Sequence, residues 1–121
     1  PENFAIANRV LLLRSDKGIG IDIALGALPF EGTAIDRAEK MELEPGAMLR
    51  LCTAEDLIVM KAFANRPQDR VDLRGIIVRQ GLNKLDWEYV WTNLKPLVEI
   101  KNEPEIIAYL EGLIRETQAA E

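Results

Sequence analysis

The hydrophobic period changes once along this chain, near Thr53, and that change limits the fold more than any other feature. Before it, apolar residues come in short runs or alternate. Arg9 to Arg14 reads RVLLLR and ends at Ser15-Asp16-Lys17-Gly18, a four-residue turn with Gly last. Ile19 to Leu25 reads IGIDIAL, which sets Ile19, Ile21, Ile23 and Leu25 on one side and Gly20, Asp22 and Ala24 on the other. A short helix is expected over 30–38, after Pro29. Strands are expected over 40–44 and 48–52, on either side of the turn dipeptide Pro45-Gly46.

After Thr53 the period is helical. Thr53 is a good N-cap, with Asp56 completing an approximate capping box. That helix should reach about Asn65. Pro67 suits the first turn of the next, which should end near Gly81. Asp86 is expected to cap a third helix with Trp87, Val90, Trp91 and Leu94 on one side, kinked or ended by Pro96. Asn102 is expected to cap a fourth, with Ile106, Ile107, Leu110, Leu113 and Ile114 on one stripe. Strands first and helices after predict an α+β fold. The strand-rich part is placed at 1–52 and a bundle of about four helices at 53–121, packed as one domain.

Composition narrows the chemistry. With 121 residues and 48% hydrophobic content, a single domain with a true core is expected. There is no His, which removes Ser-His and Cys-His catalysis and every His-ligated metal site. The one cysteine, Cys52, cannot form an internal disulfide, and a reducing, cytoplasmic setting is expected. No apolar run approaches the roughly 18 residues of a membrane span. No P-loop or dinucleotide-binding glycine pattern occurs. The sequence opens without Met and close to a strand, as expected of a piece of a larger protein or of a chain trimmed of a tag.

Two residues stand out against their surroundings. Asp22 lies within a β-branched strand, between small Gly20 and Ala24, which leaves room for a cation and a substrate. The alternative is a face simply open to water. Lys61 is the one charge in LIVMKAFA, from Leu57 to Ala64. If that helix is buried, its ammonium needs a carboxylate or phosphate partner. The alternative is a lysine that reaches water along its stem.

Downstream, Asp69 and Asp72 share a helix face near the helix start, where the dipole favours anions. Arg66, Arg70 and Arg74 follow at intervals of four. Residues 61–79 carry five bases against two acids on a chain whose net charge is −5. Such a stripe either meets phosphates, of a nucleotide or RNA, or is a solvated helix face. Trp87 and Trp91, at i and i+4, read as core or interface rather than as a base-stacking platform. Glu42 and Glu44 read as a solvated strand edge.

Taken together, these segments resemble a known family. Thr53 to Leu73 (TAEDLIVMKAFANRPQDRVDL), with Gly81 to Trp87 (GLNKLDW), is similar to the C-terminal half of small bacterial nucleotidyltransferases of the polymerase-beta-like superfamily, abortive-infection toxin type. Gly20 to Glu31 (GIDIALGALPFE) resembles that family's strand bearing the third active-site carboxylate. The resemblance spans about residues 9–95. It implies part of a mixed sheet and Mg²⁺-dependent transfer of a nucleotide from an NTP to RNA or protein. It also implies a toxin role with an antitoxin partner. Asp22 would then be the third metal carboxylate, or the base near the attacking hydroxyl. Lys61 would touch substrate phosphates or neutralise the acids. Asp69 would orient Lys61 or assist as base, Asp72 would hold the helix pair together, and Arg66 would join the phosphate side. The family's Gly-Ser turn and Asp-x-Asp pair do not occur in these 121 residues. The alternative expectation is a non-catalytic interaction module that uses the C-terminal helices, Trp87 and Trp91 included, and self-associates as a homodimer.

Overall fold

The computed structural model describes residues 2–121. Its elements run α1 (Glu2–Asn8), β1 (Val10–Arg14), β2 (Gly20–Ala24), α2 (Pro29–Arg37), β3 (Glu39–Glu44), β4 (Ala47–Leu51), α3 (Ala54–Ala64), α4 (Pro67–Gln80), α5 (Trp87–Lys101) and α6 (Glu105–Ala120). A 3-10 turn, Leu82–Lys84, joins α4 to α5. The architecture is α+β, with the strands in the N-terminal part and long helices after them.

The chain forms two compact units, one ending at Asp36 and one running from Arg37 to Glu121. In the first, β1 and β2 pair antiparallel, with Leu12 opposite Asp22 and Leu13 opposite Ile21. Ser15 O accepts the Gly18 amide at 3.0 Å and closes the turn between them. Ile21 and Ile23 share a face with their partners Leu13 and Leu11, as the alternation predicts. All four are exposed, Leu13 to 50%.

In the second unit, β3 and β4 form another antiparallel hairpin, irregular between Glu42 and Glu44. Gly46, at φ 85°, takes the left-handed position that a Pro-Gly turn needs. Among the described residues the strands therefore pair as two antiparallel hairpins, where the resemblance implied part of a mixed sheet.

The helices of the second unit hold its core. α3 packs against α4 and α5, and α6 packs against all three. Ile58, Leu73, Ile77, Leu94, Ile106 and Leu110 are almost wholly buried. Leu73 and Ile77 on α4, and Ile106 and Leu110 on α6, are four apart, so each pair lies on one helix face. Thr53 caps α3, its Oγ1 accepting the Asp56 amide at 3.1 Å. Asn65 ends α3 at φ 53°, a left-handed position that Asn tolerates.

Three local expectations change. Asn102 does not start α6; it ends α5 at φ 58°, and Pro104 precedes α6. Asn serves at either end of a helix, by its side chain at the start or by its left-handed backbone at the finish. Pro96 does not end α5, which continues to Lys101. Thr92, whose carbonyl loses a partner to Pro96, is exposed and so open to water. Finally, α1 precedes the first strand and was not expected.

Candidate functional site

The turn from α3 to α4 brings four of the five candidate residues together. Lys61 is in the last turns of α3, and Asn65-Arg66 reverses the chain. Pro67 opens α4, which places Asp69 at its third position and Asp72 one turn later. The Lys61 ammonium donates to Asp69 Oδ1 at 3.2 Å and to Asp72 Oδ2 at 2.7 Å. Arg66 closes on the same Asp69 carboxylate, Nε to Oδ2 at 2.6 Å and Nη2 to Oδ1 at 3.2 Å. Asp69 Oδ2 also accepts the Arg66 backbone amide at 3.1 Å, which satisfies a donor at the helix start. Gln68 Nε2 donates to Asp72 Oδ1 at 2.9 Å.

Burial separates the two acids. The Asp69 side chain is 1% exposed and that of Asp72 32%, while Lys61, at 27%, sits at the rim rather than in the core. Hydrogen bonds from Arg66 hold the Asp69 carboxyl at about 2, against the opposing effect of burial and with help from Lys61. Asp72 is lowered too, chiefly by Lys61, and Lys61 is raised, chiefly by Asp72. The lysine therefore stays a cation. An ammonium has three N–H donors, and two are placed on these carboxylates. The third has no partner among the described residues.

Asp22 lies in the middle of β2, exposed, in the unit that ends at Asp36. Gly20 and Ala24 flank it, as the sequence shows.

The arginine stripe is largely engaged within the chain. Arg70 Nε donates to Asn65 Oδ1 at 3.0 Å, and its guanidinium lies 4.3 Å from the centre of the Tyr109 ring. Arg74 pairs with Glu116 at 2.9 Å. Trp87 and Trp91 pack on each other, centroids 6.3 Å apart, and Trp87 Nε1 donates to Leu82 O at 3.0 Å. Both rings are half-buried, consistent with a packing role.

A second polar cluster was not foreseen. Asp56 is completely buried. Its Oδ1 accepts the Tyr89 hydroxyl at 2.5 Å and its Oδ2 accepts Arg37 Nε at 3.1 Å. The Arg37 guanidinium also lies 3.9 Å from the centre of the Tyr89 ring. Burial, reinforced by Asp56, pushes the Tyr89 hydroxyl up to about 12. The signal available in the sequence was an acid one residue ahead of the apolar run that begins at Leu57.

Among the described residues, no three acidic or sulfur side chains converge as cation ligands. The residues present do not compose a magnesium site by themselves. No helix among them is long and apolar enough to cross a membrane. Compared with known proteins, the chain matches no protein-family model and no curated protein.

Proposed function

We propose that this chain is the carboxyl-terminal part of a polymerase-beta-like nucleotidyltransferase that moves a nucleotide from an NTP to an RNA or protein acceptor, as the toxin of a toxin–antitoxin pair. The observation that carries the reading is the Lys61 ammonium. Two carboxylates fix its position and keep it charged, and its remaining N–H is left for an incoming oxygen. A phosphate oxygen is the acceptor such a donor suits, and a fixed donor loses little freedom on binding it.

The two acids then have different tasks. Asp69, buried and held by Arg66, positions Lys61. Asp72, half-exposed, ties α4 to α3 through the same ammonium and so holds the helix pair together. Arg66, 73% exposed, extends the cationic side. Asp22, in the unit that ends at Asp36, is assigned on the resemblance alone, as the third metal carboxylate or the base near the attacking hydroxyl. When bound, magnesium would neutralise phosphate oxygens and align attacker and leaving group. These residues do not suffice to hold it, and the reading requires the Gly-Ser turn and the Asp-x-Asp pair from sequence outside the 121 residues.

The test is thermal unfolding of the protein encoded by the complete gene, with each Mg-NTP in turn. A nucleotide at 100 times its Kd should stabilise the protein by about 2.7 kcal/mol. Lys61→Met should remove most of that gain while the unliganded protein still melts cooperatively. Absence of a shift with all four nucleotides would overturn the reading and favour the non-catalytic interaction module.

A further inference from the structure

The last carbonyls of α3 lack their helical donors. In a continuing helix Phe63 O would accept the amide of residue 67, but that residue is Pro67 and has none. Ala64 closes α3, and its carbonyl is orphaned in the same way. The Arg66 amide is taken by Asp69 Oδ2 at 3.1 Å.

The missing donor comes from the end of α5. The Lys101 ammonium donates to Phe63 O at 2.5 Å and to Ala64 O at 3.3 Å. It lies 5.1 Å from the centre of the Phe63 ring. Glu103 stands beside it at 3.4 Å, yet the shortest contact goes to the Phe63 carbonyl and not to that carboxylate. A cation there meets the negative end of the α3 dipole as well as its free carbonyls. Lys101 therefore caps a helix that is not its own.

The place of that cap gives it a further consequence. Phe63 and Ala64 lie between Lys61 and Arg66, the two cations that grip Asp69. α4 holds the same segment at two points, through Arg70 Nε on Asn65 Oδ1 at 3.0 Å and through Asp69 on the Arg66 amide. Lys101 ties its backbone to α5. We propose that Lys101 is a positioning residue for the Lys61 site: it locks the end of α3 so that Lys61 and Arg66 converge on Asp69, with the remaining N–H of Lys61 held in place for a phosphate oxygen. This role rests on the reading of Lys61 as a phosphate donor.

Lys101→Met keeps the apolar stem and removes the ammonium, whereas Lys101→Arg keeps the charge and several N–H donors. Hydrogen exchange on the 121-residue chain reads the turn without any nucleotide. In Lys101→Met the Arg66 amide should exchange about tenfold faster, while the amide of Leu110, in the core of α6, keeps its wild-type rate. In the protein from the complete gene the same variant should raise the Mg-NTP dissociation constant about tenfold. Lys101→Arg should restore both. An Arg66 amide unchanged in Lys101→Met overturns the proposal. So does equal acceleration at Arg66 and Leu110, which would make Lys101 a support of the whole fold. Faster exchange at Arg66 with undiminished nucleotide affinity overturns it too. If the wild type binds no nucleotide, the reading of Lys61 falls, and the exchange rates by themselves decide whether Lys101 holds the turn.

Discussion

Lys61 and Asp69 meet across the turn between α3 and α4, Nζ 3.2 Å from Oδ1, with the carboxylate buried and the ammonium at the rim. The asymmetry matters because the two partners stand to lose different amounts. Lys61 regains water if the contact breaks. Asp69 does not, and it depends on Lys61, Arg66 and the Arg66 amide together.

Asp69 should therefore outweigh Asp72 in stability, although both bind the same lysine. Asp69→Ala removes a helix-start acceptor and the hub of the network, at a cost of about 2 kcal/mol. Asp72→Ala removes a half-exposed pair, at about 1 kcal/mol or less. Denaturant midpoints of the two variants decide it. Equal losses would mean that Asp69 is not the hub.

Acid should expose the same residue. Its folded carboxyl titrates at about 2, below the ordinary 3.8, so the unfolded chain binds a proton first. The stabilisation is complete above about pH 4 and lost as pH falls through 2, amounting to about 2 kcal/mol. Unfolding free energies between pH 5 and 2 should fall more steeply for the wild type than for Asp69→Asn. Parallel curves would contradict this.

Tyr89 makes the corresponding prediction in base. The chain has two tyrosines, so Tyr109→Phe leaves Tyr89 as the sole reporter. Its ultraviolet titration should have a midpoint near 12 rather than the ordinary 10. Because the folded value is the higher one, the stabilisation is whole below pH 10 and lost as pH rises toward 12. A midpoint near 10 would mean that the hydroxyl is not held on Asp56.

Periodicity made α5 and α6 legible, because each buries a stripe at a spacing that the sequence displays directly, while α3 and α4 were legible from their end signals, Thr53, Pro67 and Gly81. The fate of Asn102 was not legible, since Asn caps either end of a helix and two helices meet there. α1 was missed because seven residues, ENFAIAN, are too few to show a period. At the site, spacing placed Asp69 and Asp72 on one face and singled out Lys61. It did not tell which acid is buried, because that depends on how α4 is rotated against α3. The union of Asp56 with Tyr89, 33 residues apart, depends on the packing of α3 against α5 and leaves no local trace.

The most direct measurement of the proposed activity is label transfer by the protein from the complete gene. It would be supplied with Mg²⁺ and each NTP labelled at the α-phosphate, against total RNA and protein of its host. The account predicts covalent label from at least one nucleotide, reduced at least 100-fold (about 2.7 kcal/mol of barrier) by Lys61→Met and by Asp22→Asn. No transfer from any nucleotide, or transfer undiminished in both variants, would contradict it.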